Sequence, residues 1–172
     1  MTENGSSEPV AKVRPFVPGD RDAAVSLLAG YRVALSALRG PERTPDEGAA
    51  ALELQEYLGR GFPVFVAEAD GRPIGLLVCR VDGPTVWAEC LYVAPEWWRH
   101  GVGTALYAAA EELAAARGEP TVYTWVHPDN RAVIRLLASR GYDVLNLIEV
   151  RRALPGETPR ATLRIGEHDY RY

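Results

Sequence analysis

The chain has 172 residues, 47% of them hydrophobic, and a formal net charge of −4. This is enough apolar material for a good core in one globular domain, and the acidic balance offers no electrostatic footprint for nucleic acid. The two cysteines, Cys79 and Cys90, lie in apolar runs and read as buried reduced thiols, while His100, His127 and His168 have no ligand spacing, so no metal is expected.

Met1 to Val10 is rich in Ser, Gly, Glu and Asn and reads as a disordered N-terminus, leaving 11–172 as a single domain. Met1–Pro9 lacks a signal-peptide core, and no apolar run reaches transmembrane length. A soluble cytoplasmic protein without a membrane partner is the expectation. Val13–Phe16 is a short strand closed by Pro18-Gly19. Asp20 caps a helix to about Leu38, with Ala24, Leu27, Leu28, Tyr31 and Leu35 at helical spacing, and Arg39-Gly40-Pro41 stops it. Pro45-Asp46 opens a second helix, which ends at Gly59 and Gly61. Three strands follow, Pro63–Ala67, Ile74–Val81 and Thr85–Val93, separated by Asp70-Gly71 and Asp82-Gly83. Asp-Gly between apolar runs signals hairpins, so these strands form an antiparallel meander.

Next come the cationic glycine turn Arg99-His100-Gly101-Val102-Gly103 and a helix to Arg117, with Val102, Leu106, Ala109, Ala110 and Leu113 on its apolar face. Thr121–Val126 is a strand. Asp129 or Asn130 caps a helix to Arg140, closed by Gly141. Val144–Leu154 reads as a long strand, and Thr158–Tyr172 adds a last one. The order β-α-α-β-β-β-α-β-α-β gives an α/β (α+β) domain, with a mixed, mostly antiparallel central sheet flanked by helices.

The glycine turn carries the chemistry. A strand feeds it and a helix leaves it, so unpartnered N–H groups and the positive end of the helix dipole meet a backbone that glycine lets a ligand approach. An anion such as a pyrophosphate suits this place. The pattern is not G-x-G-x-x-G, because Leu106 holds the sixth position. Nor is it a P-loop, because Lys12 is the only lysine. The bland alternative is a tight start to the helix with incidental basic residues.

The run V-A-P-E-W-W-R-H-G-V-G-T-A-L from Val93 to Leu106 resembles the acyl-CoA-binding motif of the GCN5-related N-acetyltransferases. The segment from Asn130 to Tyr142 resembles a second motif of that family, at Asn130, Leu136, Gly141 and Tyr142. The resemblance implies the acyl-CoA N-acyltransferase fold, with acetyl-CoA or coenzyme A as co-substrate and no metal. It implies that Arg99, His100, Gly101, Val102, Gly103, Thr104 and Ala105 hold the pyrophosphate, with Trp98 standing where the family has Arg or Gln. The main chain of Leu91, Tyr92 and Val93 would pair with the pantetheine arm, and Asn130 would touch that arm from the other side. Asn130 reads equally well as a plain helix N-cap.

Glu89 is the candidate general base. Two residues before Leu91, it shares a strand face with Leu91 by plain alternation, among the apolar residues Trp87, Ala88, Cys90 and Leu91. The family's acid, a tyrosine, falls at Leu137, which cannot donate a proton; Tyr107, Tyr123 and Tyr142 are substitutes by residue type alone. The expected reaction is direct attack of a primary amine on acetyl-CoA, with a small-molecule amine or peptide as acceptor. Tyr31, Tyr57 and the stretch from Arg39 to Glu47 would set acceptor specificity, and Asp46, Glu47, Glu53 and Glu56 hint at a cationic acceptor. A catalytically silent CoA-binding module and a transferase of another acyl group are the alternatives, and a homodimer is compatible with this reading.

Overall fold

The computed structural model describes residues 11–40, 43–153, 155–156, 158–159 and 161–172; the Met1–Val10 segment read as disordered lies outside the described residues. The chain divides after Trp125 into two compact units. The first is a five-stranded sheet in the order β1 (Lys12–Pro15), β2 (Val64–Ala69), β3 (Arg72–Asp82), β4 (Thr85–Val93), β5 (Val122–Thr124). Every pairing is antiparallel except β4 with β5. Turn chemistry builds the meander. Asp70 and Gly71 both have positive φ, 50° and 73°, as a type I′ hairpin demands, and Gly83 takes φ 60° in the next turn.

Helices α1 (Arg21–Arg39) and α2 (Glu47–Gly59) pack on one sheet face. Their Ala24, Leu28, Ala50 and Leu54 meet Val64, Val66, Leu76, Val78 and Cys90 in one buried cluster. The Asp46 carboxylate accepts from the Ala49 N–H at 2.9 Å and caps α2, as its sequence position implied. Helix α3 (Val102–Ala116) lies on the other face. A Cβ at Gly75 would come within 3.0 Å of Leu106 and 3.2 Å of the Tyr92 carbonyl, so glycine there lets α3 sit close on the strands.

Cys79 and Cys90 are buried and free. Cys79 stands opposite Ala88 and Cys90 opposite Val78, so the thiols are not cross-strand partners. Burial, with the Glu89 charge adding to it, pushes the Cys79 thiol up to about 12; burial raises Cys90 as well.

Asp20 precedes α1 as expected, but its carboxylate serves other donors. It accepts from the Val17 N–H at 2.8 Å and from both Arg14 Nη atoms at 2.7 and 2.8 Å, while Arg14 Nε reaches Glu68 at 2.7 Å. The Arg14 hydrogen bonds, helped by Val17, hold the Asp20 carboxyl below its ordinary value. The Asp20 side chain is 6% exposed. Asp20→Ala leaves the guanidinium and the Val17 N–H without this partner, so about 3 kcal/mol of stability should be lost at pH 7. A depressed carboxyl stabilises the fold above the unfolded value of ~3.9, and that contribution fades as pH falls through the lower folded value. Urea midpoints of wild type and variant should therefore differ clearly at pH 7 and converge towards pH 2. A constant gap would assign the cost to packing.

The second unit holds α4 (Arg131–Ser139) and a hairpin of β6 (Thr162–Ile165) with β7 (His168–Arg171). Gly141 at φ 82° ends α4, and the Tyr142 N–H returns to the Leu137 carbonyl at 3.0 Å. Residues 143–153 form no strand, contrary to the reading of Val144–Leu154; Leu154 lies outside the described residues. Val144, Leu145 and Leu147 are 85%, 74% and 74% exposed. β-Branched and aliphatic content supplies propensity, but a strand needs a ladder partner and a buried face, and among the described residues this stretch has neither. The expected last strand is instead a two-stranded sheet paired with itself.

Candidate functional site

β4 stays paired to β3 over its whole length, but its pairing with β5 ends at Ala88 and Thr124. Thr124 Oγ1 donates to the Ala88 carbonyl at 3.2 Å on that last rung. Among the described residues, no strand pairs with the β5 side of β4 from Glu89 to Val93. Leu91, Tyr92 and Val93 all lie in this opened stretch.

Glu89 sits where the split begins, and it is a bulge residue. Val78 faces Cys90, and the next residue of β3, Cys79, faces Ala88, so Glu89 is extra. The bulge overturns plain alternation. Leu91 lies opposite Leu77, on the α3 face. Glu89 turns to Arg80, which by strand parity shares the α1/α2 face with Val78. Its surroundings are not the apolar ones expected. Glu89 Oε1 accepts from Arg80 Nε at 2.6 Å, with the two side chains 20% and 29% exposed. The Arg80 guanidinium lies 5.0 Å from the ring centre of Trp87 and 5.4 Å from that of Trp125, and these two rings stack at 4.6 Å. The Tyr31 hydroxyl donates to the Glu89 carbonyl at 3.4 Å.

The glycine turn follows β4 through a short 3₁₀ turn at Pro95–Trp97. Arg99 and Gly101 both take left-handed conformations, φ 68° and 79°, and the residue between them does not. Such alternation gathers backbone N–H groups into an anion-binding concavity. Gly101 is the N-cap of α3, with no side-chain cap, so the first N–H groups of Val102, Gly103 and Thr104 are left to a ligand or solvent. The first helical bond runs from the Ala105 N–H to the Gly101 carbonyl. Among the described residues, a Cβ at Gly101 would meet nothing within 4 Å, so this position is open. Trp98 Nε1 donates to the Val93 carbonyl at 2.7 Å and ties the turn back to the strand. His100 Nδ1 lies 2.9 Å from the Trp98 carbonyl, and its ring meets Trp97 edge-on.

The acidic residues of α2 do not form an anionic lining. Asp46 caps the helix, Glu47 accepts from Ser26, Glu56 pairs with Arg60, and Glu53 takes both Arg32 and the Tyr57 hydroxyl. Two of the four charges, on Glu53 and Glu56, are thus offset by Arg32 and Arg60, while Asp46 and Glu47 have only neutral donors. Burial raises the phenols of Tyr31 and Tyr57, which stay protonated donors. In the second unit, Asn130 Oδ1 accepts from the Val133 N–H at 3.3 Å, the plain N-cap role foreseen as its alternative. Leu137 is buried. Arg80 went unnoticed in the sequence, because nothing local marks a bulge. Among the described residues, no three His, Cys, Asp or Glu side chains could hold a metal, and no helix is long and apolar enough to cross a membrane.

A family model described as the acetyltransferase (GNAT) family matches residues 31–142. A mycothiol acetyltransferase of Geodermatophilus obscurus is 32% identical over 146 residues, covering 81% of this chain and 46% of that protein. An uncharacterized N-acetyltransferase of Methanocaldococcus jannaschii is 30% identical over 93 residues, covering 49% of this chain and 41% of that one. The chain thus spans less than half the length of these two relatives. Among solved structures, the PaiA N-acetyltransferase of Thermoplasma acidophilum, determined with coenzyme A, aligns with a TM-score of 0.64 at 17% identity, over 76% of this chain and 87% of that one. That likeness is one of fold.

Proposed function

Since the chain belongs to the acetyltransferase (GNAT) family, we propose that it moves an acetyl group from acetyl-CoA to the primary amine of a small molecule. The observation that carries this reading is the opening of β4 from β5 directly before an uncapped, left-handed glycine turn. The opened edge from Leu91 to Val93 suits an extended, amide-bearing arm, which would pair with it as a strand does. The turn from Arg99 to Ala105 suits the pyrophosphate, and the open space at Gly101 is where a backbone-bound anion fits. Asn130 is assigned to the same arm on the resemblance alone.

Bound acetyl-CoA supplies an activated thioester. Glu89 takes the proton of the attacking amine, a backbone N–H at Leu91–Val93 polarises the carbonyl, and the phenol of Tyr31 braces the Glu89 main chain. The carbon–nitrogen bond forms as the carbon–sulfur bond breaks, and the electron pair leaves on sulfur. With Leu137 at the family's acid position, the thiolate takes its proton from water. An ordinary thiol pKa near ~8.5 makes that leaving group tolerable.

The test is release of free thiol from acetyl-CoA across a panel of small amines and peptides. Cys79 and Cys90 are buried and free, so a thiol reagent reports coenzyme A rather than the folded protein. Turnover with small amines supports the reading. Tight CoA binding without turnover on a broad panel would reduce the protein to a binding module, and turnover restricted to peptides would move the acceptor class.

A further inference from the structure

Resting on that acetyl-transfer reading, we propose that the acceptor is a free α-amino acid, whose carboxylate is held by the outer edge of Arg80 while its amine meets Glu89. An arginine carries five N–H donors in a fixed fork. Arg80 uses one of them, Nε, on Glu89 Oε1 at 2.6 Å. Its Nη1 and Nη2 make no hydrogen bond or ion pair among the described residues. The guanidinium carbon lies 5.0 Å from the Trp87 ring centre and 5.4 Å from that of Trp125, so these rings and the Glu89 bond restrict the guanidinium before any ligand arrives. A guanidinium edge of this kind matches a carboxylate with two parallel hydrogen bonds.

The charge balance around it points the same way. A polyamine would need several spare carboxylates, and two of those on α2, Glu53 and Glu56, are already ion-paired with Arg32 and Arg60. Glu89 and Arg80 instead offer one acceptor and one donor edge, hydrogen-bonded to each other. An α-amino acid carries the complement on a single carbon, an ammonium and a carboxylate. A peptide N-terminus or an amino amide has the amine without the anion. The reaction would convert the amino acid and acetyl-CoA into the N-acetyl amino acid, coenzyme A thiol and one proton: one ammonium proton passes to Glu89, the second N–H proton goes to water as the amide forms, and the thiolate takes one proton from water.

The experiment compares the common amino acids with their carboxamides, in two arms. The first is calorimetric binding to the CoA-saturated protein. The wild type should bind at least one amino acid tenfold or more tighter than its carboxamide. Arg80→Gln should erase that preference while leaving coenzyme A affinity within a few-fold, and Arg80→Lys should restore part of it. Equal binding of acid and amide across the panel, or an Arg80→Gln loss shared equally by both, overturns the proposal. The second arm is thiol release. An Arg80-dependent preference in binding without turnover keeps the carboxylate site and defeats acetyl transfer. Turnover that is equal for acids and amides keeps the transfer and defeats the carboxylate site.

Discussion

Gly101→Val should lower coenzyme A affinity by at least a hundredfold while the protein stays folded. Gly101 begins α3 at φ 79°, a region that costs a side-chain-bearing residue roughly 1–2 kcal/mol. Domains have about 5–15 kcal/mol in hand, so the strain alone does not unfold the chain. The loss of binding comes from the space in front of the turn. Among the described residues, none comes within 4 Å of the position a Cβ would take, and in this reading the pyrophosphate fills that space. Gly101→Asn separates the two causes, because Asn tolerates the left-handed region yet still carries a side chain. Titration calorimetry with coenzyme A decides. Wild-type affinity in the Val variant would remove the turn from the site; wild-type affinity in Asn with loss in Val would make the effect one of backbone strain.

Glu89→Gln should cut kcat by ~10²–10⁴ with an ordinary alkylamine, whose pKa lies near ~10.4. Such an amine is almost wholly protonated at pH 7 and needs a positioned base. Gln keeps an oxygen that accepts from Arg80 Nε, so the bulge and the pair geometry survive and coenzyme A affinity should stay within a few-fold. The deficit should shrink for an acceptor of low pKa, which arrives already deprotonated. Steady-state thiol release with both amines reads the difference. A variant with wild-type kcat on the high-pKa amine would reduce Glu89 to a partner of Arg80, with the base sought elsewhere.

What could be read in the sequence follows from the range of the forces involved. The hairpins were legible because Asp70-Gly71 and Gly83 satisfy a local demand for positive φ. The glycine turn was legible for the same reason, since Gly101 is needed by its own backbone. The bulge was not legible, because an extra residue in β4 exists only relative to β3. Its consequence, Glu89 turning from Leu91 to pair with Arg80, was hidden with it. Val144–Leu154 carries strand propensity, but pairing depends on a partner strand that the stretch itself does not encode. The ion pair of Glu53 was not legible either, because its partner Arg32 lies on α1, 21 residues away.

The bulge also makes β4 a strand in two phases. Trp87 and Cys90, three residues apart, share one side of the sheet, whereas in an unbroken strand they would oppose each other. Removing Glu89 would join the halves into one continuous ladder, a tidier sheet without its acidic side chain. Directed evolution for heat resistance alone would be free to make that deletion, whereas, if Glu89 is the proposed base, selection for turnover would forbid it. Single-residue insertions and deletions in β4 are therefore where the two kinds of screen should diverge most sharply.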